Sequence, residues 1–217
     1  MSLSPRLETL ASLIEKEYDH IWDCCCDHGI LGRSLMDRHP SSVVHFVDQV
    51  DSIIRQLQET LAVSCDLSKR WRVYCMDLNE LILPNSKESH LVIIAGVGGD
   101  LIAQFVENIL KNNPGQRIDF LLCPIRQIYW LRGCLSDLGL GVIDEKIVSD
   151  KGLFYELLYI STSSDRPLSK TGDRMWNFTL TEHQAYIEQI LKHYQSMRKG
   201  RPEEAASALS DYQQLLK

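Results

Sequence analysis

The chain has 217 residues, 44% of them hydrophobic and 24% charged, with a net charge of −6. Such a chain buries a substantial core without disulfides or metal, and it carries no global basic field that would attract nucleic acid by charge alone, although a local basic patch stays open. Seven cysteines, three of them contiguous at Cys24–Cys26, suit reduced thiols better than a disulfide framework, and no stretch approaches the roughly 18 apolar residues of a membrane span. The opening MSLSPRLETLASLIEKEY is charged throughout and lacks a signal-peptide core, so a cytoplasmic protein without membrane attachment is expected.

In chain order, Leu7, Leu10, Leu13 and Ile14 recur at helical spacing, and Ser4 followed by Pro5 starts a helix predicted over 5–17. A buried strand is predicted at His20–Cys25, then a tight turn and a helix at Leu31–Arg38 stopped by Pro40. Val43–Val47 reads as a second strand, Ile53–Leu61 as a helix and Trp71–Cys75 as a third strand. His90–Ala95 reads as a fourth strand, followed by glycines and a helix at Leu101–Leu110. Asp119–Cys123 and a helix over about 126–138 complete the alternation. Gly141–Val148 and Leu153–Ile160, joined by Ser149-Asp150-Lys151-Gly152, form a hairpin.

This order predicts an α/β fold: a parallel, doubly wound, Rossmann-like sheet with an antiparallel edge hairpin. Residues 161–173 are polar, with Pro and Gly, and read as a linker. Helical spacing over Thr181–Lys199 and Pro202–Lys217 then predicts a C-terminal helical hairpin, giving a division into 1–162 and 163–217.

In open α/β sheets ligands bind beyond the carboxyl ends of the strands. Here Asp23, Asp48 and Asp77 lie at three successive strand ends. An acid after the second strand can accept from both hydroxyls of a ribose, and one after the third from an adenine amine. The alternative is that each aspartate caps the helix that follows. Gly29 and Gly32 alone do not make the G-x-G-x-x-G fingerprint of a dinucleotide site. The acid spacing resembles that of class I S-adenosylmethionine methyltransferases. Cys24, Cys26 and His28 are soft metal donors, but alternate positions of an extended segment wrap a tetrahedral ion poorly, and no second cluster completes a set. No metal is expected, and a nucleophilic Cys26–His28 pair is disfavoured. Cys24 and Cys25 read as packing around the loop.

The run IIAGVGG (93–99) places glycines after the fourth strand, where backbone can approach a flat base or cofactor, or simply turn tightly. With this run the chain resembles the TrmK family of bacterial tRNA methyltransferases, which act on N1 of adenine 22. LSPRLETLASLI (3–14) looks like the family's opening helix, DCCCDHGILG (23–32) is similar to its D-x-G-S-D-H-A-Y-L-P loop, and IAGVGGDLIA (94–103) to its I-A-G-M-G-G-x-L-I motif. The stretch 121–158, ending in DEKIVSDKGLFYELL, follows its L-x-Q-P-N…D-E…E-D-G-K-x-Y-E block. Three stretches depart from the pattern. Cysteine replaces a loop glycine, Asp48 replaces a glutamate, and Cys123-Pro124-Ile125 replaces Gln-Pro-Asn.

The resemblance implies S-adenosylmethionine as cofactor, with Asp23, Cys24, Cys25 and Gly29 in the first loop. Asp48 and Gln49, Asp77 and Leu78, and Ala95 and Gly96 supply the remaining cofactor contacts. It implies tRNA as substrate, meeting Val97, Gly98 and Gly99 on one loop and Pro124, Arg126 and Trp130 on another, with Asp27 and His28 positioning the target base. Arg126, Tyr129, Trp130 and Arg132 are expected at the start of the fifth helix, where Arg126 and Trp130 share a face by i, i+4 spacing; base stacking with phosphate contact, or aromatic packing under a solvated arginine face, is expected there. The basic run Lys69-Arg70-Trp71-Arg72 falls at the opposite end of the sheet, and the tail from Thr171 carries six Lys/Arg against six Asp/Glu, so it is no polybasic arm. A monomer or weak dimer is expected. Two other readings stay open: a methyltransferase acting on another RNA position or a small molecule, and a cofactor- or RNA-binding homologue without turnover.

Overall fold

The computed structural model describes residues 3–64, 70–84 and 87–217. Seven strands form one sheet: β1 (His20–Cys24), β2 (Val43–Asp48), β3 (Trp71–Cys75), β4 (His90–Ala95), β5 (Ile118–Cys123), β6 (Gly141–Asp150) and β7 (Leu153–Ser161). Their order is β3-β2-β1-β4-β5-β7-β6; the first five are parallel and the β6–β7 hairpin is antiparallel. The hairpin turn uses Lys151 and Gly152, both at positive φ (52° and 78°), as a two-residue turn between antiparallel strands requires.

Helices α1 (Pro5–Ser12), α2 (Ile30–Arg38), α3 (Asp51–Ser64), α4 (Gly99–Asn112) and α5 (Ile128–Asp137) cover the sheet, and α6 (Thr181–Met197) and α7 (Pro202–Gln214) close the chain. Strand periodicity divides the core between the two faces. Val92 and Ile94 of β4 pack with Ile102 and Val106 of α4 and with Leu131 of α5. Leu91 and Ile93 pack with Leu10 of α1, Leu35 of α2 and Leu57 of α3.

Helix α1 begins as its sequence predicts, with the Ser4 hydroxyl accepting from the Leu7 amide and Pro5 at the first position. It ends five residues early. Leu13 and Ile14 are buried outside the helix, and Tyr18 is drawn inward to donate to Asp119 Oδ2 at 2.5 Å. These tertiary contacts outweigh the helical periodicity.

Segment 161–173 is not a loose connection. Ser164 Oγ donates to the Val142 carbonyl (2.8 Å), the Val142 amide donates to Arg166 O (2.8 Å), and Pro167 bridges to Gly141. The segment thus covers the open edge of β6, which would otherwise expose unpaired backbone groups. Gly141 is required there, because a Cβ would stand 2.0 Å from Ser164 O.

The tail then docks on α5 and the hairpin. Tyr186, Tyr194 and Tyr212 pack with Tyr129, Phe154 and Trp176. The Tyr129 hydroxyl donates to Asp211 at 2.7 Å and that of Tyr186 to Glu156 at 3.0 Å. Beneath them Arg132 has no exposed surface and donates through Nε to Glu156 (2.9 Å) and through Nη1 to Glu145 (2.8 Å).

At the amino end of the sheet, His20, His45 and His90 stack with Trp22 and Tyr74, and His20 Nδ1 lies 2.9 Å from His45 Nε2. Burial, with His20 and Arg72 nearby, lowers the His45 pKa to about 3, so its imidazole is neutral at ordinary pH. Arg70 sits at this end, donating to the carbonyls of Met36 and Pro40, as its place before β3 implies. Lys69 lies outside the described residues. Among the described residues no helix is long and apolar enough to cross a membrane.

Candidate active site

The strand order reverses between β1 and β4, and the crevice there opens at the carboxyl ends of both. Two cavities meet in it. One, of about 320 Å³, is lined by Asp23–His28 of the first loop, by Ala95–Val97 after β4, and by Arg6 of α1. The other, of about 200 Å³, is lined by Val47, Asp48 and Gln49 at the end of β2, by Met76 and Leu78 after β3, and by Leu101 and Phe105 of α4. Cys25 and Val97 belong to both walls, so they mark the junction.

The first loop is held by two strand-end acids. Asp23, on the buried β1, accepts the Gly32 amide at 2.8 Å and so fixes the start of α2. Gly32 has to be glycine: a Cβ would lie 2.3 Å from the Phe46 ring and 2.8 Å from Asp23 Oδ2. Asp48 accepts the Asp27 amide (3.3 Å) and the Val50 amide (3.1 Å), tying the first loop to the second strand end. A carboxylate has about four acceptor sites, so both roles weighed for Asp48 are compatible. Asp77 caps the short 3₁₀ turn Leu78–Glu80, accepting from the Asn79 amide at 2.9 Å. It lines neither cavity, whereas its neighbour Leu78 lines the smaller one.

Burial raises the Asp23 carboxyl to about 7; the Gly32 amide opposes this and the Asp48 charge adds to it. A carboxyl titrating near neutrality and lining a cavity is poised to respond to a cationic ligand. The thiols respond oppositely to what nucleophilic chemistry would need. Burial, with Asp48 and Asp23, pushes Cys25 up to about 12, and burial also raises Cys24 and Cys26. They are neutral fillers, and His28 approaches Asp27 (3.6 Å), both side chains being more than half exposed at the cavity rim. Among the described residues, no group of three or more His, Cys, Asp or Glu is arranged to hold a metal ion.

Cys25 and Asp27 both take left-handed φ (55° and 48°), so the loop is a tight double turn. Cys25 takes a conformation that glycine adopts without strain, and it bears that strain itself. Gly29 completes the turn at φ 64°, donating to Cys26 O at 2.8 Å, and lines neither cavity.

The glycines after β4 do different work. Gly96 (φ 85°) has no atom within 4 Å of where a Cβ would stand, which leaves open space above the crevice. Gly98 and Gly99 instead make room for the Arg126–Gln127 segment, against which a Cβ would press at 2.8–3.0 Å. The Ile125 amide donates to Val97 O and the Gly99 amide to Arg126 O, so the loops carrying Pro124 and Val97 are tied together.

The fifth helix starts later than its sequence suggests. Gln127 takes φ 61° and ends the loop, so Arg126 lies outside α5 and shares no helical face with Trp130. Arg126 pairs with Asp100 at 3.5 Å. Trp130 and Ile125 remain 43% and 50% exposed on this side of the fold. Tyr129 and Arg132, the other residues of this stretch with RNA-contacting chemistry, face the tail and are buried. Sequence reasoning missed Arg6, Met76, Leu101 and Phe105 as cavity walls. Arg6 was visible in LSPRLETL, but only as part of an opening helix.

The family model described as "Methyltransferase domain" matches residues 3–158. A Mycoplasma pneumoniae protein whose name gives tRNA methyltransferase as a provisional function is 26% identical over 175 residues, covering 78% of this chain and 76% of its own. The crystal structure of the Bacillus subtilis m1A22 tRNA methyltransferase TrmK is similar at a TM-score of 0.72 and 21% identity, covering 98% of this chain and 95% of its own. The structure of M. capricolum TrmK, in complex with the natural cofactor product S-adenosylhomocysteine, is similar at a TM-score of 0.75 and 17% identity, covering 99% of this chain and 96% of its own.

Proposed function

The chain belongs to the methyltransferase-domain family, and from that premise we propose that it transfers a methyl group from S-adenosylmethionine to N1 of an adenine in tRNA, at position 22. The observation that carries the reading is the pair of joined cavities at the switch point, with carboxylates from the ends of β1 and β2 in their walls. The residues present fit the cofactor. The smaller cavity offers Asp48 for ribose hydroxyls and Met76, Leu78 and Phe105 as apolar walls for an adenine ring. The larger offers the buried Asp23 and the open space over Gly96 to the amino-acid end. When bound, the cofactor supplies an electrophilic sulfonium methyl.

Adenine N1 is already a neutral nucleophile, so the chain needs no strong base and works by positioning and by excluding water. N1 lies on the Watson–Crick edge, which requires the base to leave its pair and enter a pocket. Asp27 and His28 stand at the rim, where they can meet the exocyclic amine and orient the ring. The Ile125–Trp130 surface offers flat apolar contact to unstacked bases. The half-exposed Arg126–Asp100 pair is the kind worth little by itself, so Arg126 can exchange that partner for a phosphate. Residues 1–162 hold the cofactor in this reading and 163–217 serve RNA, in the cytosol. The names and titles of the relatives support tRNA as the substrate class.

Labelled methyl should pass from S-adenosylmethionine into an unmodified tRNA transcript and not into free adenosine. Asp48→Ala should weaken cofactor binding at least about tenfold, the loss of roughly 1.5–3 kcal/mol expected for charge-assisted hydrogen bonds. Equal transfer to free adenosine would favour a small-molecule enzyme.

Asp23 adds a pH dependence. Its carboxyl, raised to about 7, is protonated in the ligand-free protein below that pH. A cationic cofactor favours the ionised form, so binding should release a proton. Calorimetric affinity should therefore rise from pH 6 to pH 8, by a factor approaching ten per unit below pH 7. Asp23→Asn should bind more weakly and lose that slope, whereas a slope unchanged in the variant would assign the titration elsewhere.

A further inference from the structure

We propose that a cavity at the amino end of the sheet is a second binding site, for a small alkyl di- or triamine, with the Asp119 carboxylate on its floor taking a primary ammonium. The cavity lies at the opposite end of the strands from the candidate active site, and the inference does not rest on the cofactor reading. At about 740 Å³ it is larger than either cavity at the switch point. Its walls come from the segment after α1, the entries to β4 and β5, the β6–β7 hairpin and the segment 161–173 that covers β6. Among the described Asp, Glu, Lys and Arg residues of the lining, only Asp119 is buried, its side chain 9% exposed. Its Oδ2 accepts the Tyr18 hydroxyl at 2.5 Å and the Lys16 ammonium at 3.1 Å, while Oδ1 takes no bond among the described residues.

The hydrogen bonds on the floor say what kind of ligand fits. The Tyr18 hydroxyl also touches that of Tyr159, another lining residue. Tyr18 has one hydrogen and gives it to the carboxylate, so Tyr159 donates to Tyr18. Burial raises the pKa of both phenols, so each keeps its hydrogen at neutral pH. Both hydrogens are used inside the protein, and this part of the floor offers a ligand only lone pairs. Lys16 already shows which donor suits it. Its ammonium meets the carboxylate and lies 4.8 Å from the centroid of the Tyr18 ring, on a side chain 60% exposed. That ammonium stands in for the ligand's, and a pair with one exposed partner exchanges readily. With Lys16 displaced, Asp119, Glu15, Glu88 and Asp144 face Lys87 and Arg117, an excess of acid. The volume exceeds what a single ammonium needs and accommodates an alkyl chain with a further amine beside the exposed Glu15 or Asp144. An anion would meet an acceptor floor and no buried lysine or arginine among the described lining.

The test is calorimetry on the full chain with putrescine and spermidine, and with diacetylated putrescine as the uncharged control. At least one of the two amines should bind saturably, and the diacetylated compound should bind at least about tenfold more weakly than it, the range of a charge-assisted hydrogen bond. Lys16→Met removes the tethered ammonium and should tighten amine binding by up to about fivefold, the worth of an exposed ion pair. Asp119→Asn should weaken amine binding at least about tenfold while circular dichroism stays that of the wild type. Should Asp119→Asn fail to fold, the control compound and Lys16→Met decide. Equal binding of putrescine and its diacetylated form would overturn the proposal, as would amine binding unchanged in a folded Asp119→Asn. The absence of saturable amine binding to both the wild type and Lys16→Met would overturn it too. So would a site that takes inorganic phosphate in place of the amines and loses it in Arg117→Gln, which would make the rim cations the recognition groups.

Discussion

Arg132→Ala should destabilise the protein by about 3–5 kcal/mol, the usual penalty for removing one member of a buried ion cluster. The reason is the company Arg132 keeps. Its fully buried guanidinium joins Glu156, which is also buried, to Glu145 on the paired strand, and donates to the Ser169 carbonyl at 3.2 Å. Without it two carboxylates face each other in the core. Burial already raises the Glu156 pKa, and Arg132 is the charge that opposes this. Because Tyr186 donates to the same Glu156, the variant should loosen the tail as well as the hairpin. Urea unfolding should show the loss in midpoint, and hydrogen exchange should show α6 and α7 opening first. A midpoint unchanged within about 0.5 kcal/mol would mean that the cluster contributes no net stability.

Gly32→Ala should carry the second large effect, at the other end of the catalytic face. The new methyl meets Phe46, fully buried on β2, and the Asp23 carboxylate, and neither has room to retreat. Overpacking of this kind costs about 1–3 kcal/mol. The functional loss should be larger, because the Asp23–Gly32 hydrogen bond sets the first loop; cofactor affinity should fall more than about tenfold, the equivalent of roughly 1.4 kcal/mol. Thermal unfolding and calorimetry measure the two separately. A variant with lowered stability and unchanged cofactor affinity would detach the Asp23–Gly32 contact from the binding site.

These residues also show how far the sequence could be read. Trp71–Cys75 and His90–Ala95 match the observed strands residue for residue, because short apolar runs ending at a turn leave little choice. The antiparallel hairpin followed from its turn residues. Boundaries failed where tertiary contacts took over: Tyr18, expected just past the first helix, is drawn away from it by bonding to Asp119, 101 residues away in sequence. Arg126 and Trp130 seemed to share a helical face, but the left-handed Gln127 puts Arg126 before the helix. Arg132, expected on a solvated or RNA-contacting helix face, is instead the charge at the centre of the tail's docking site. A signal for that was present in DEKIVSDKGLFYE: Glu145, Ile147 and Glu156 fall on one face of the paired strands, where buried acids demand a cation. The strand-end acids were legible because topology alone brings Asp23 and Asp48 together. Arg6 and Phe105 were not, since helix packing decides which of their faces meets the crevice.

The most direct test of the account is nucleoside analysis of a tRNA transcript after incubation with the wild-type protein and S-adenosylmethionine. The expected product is 1-methyladenosine, mapped to position 22 and absent when adenine there is replaced by guanine. A transcript that gains no 1-methyladenosine, with the methyl group appearing on another nucleotide or on a small molecule, would contradict it.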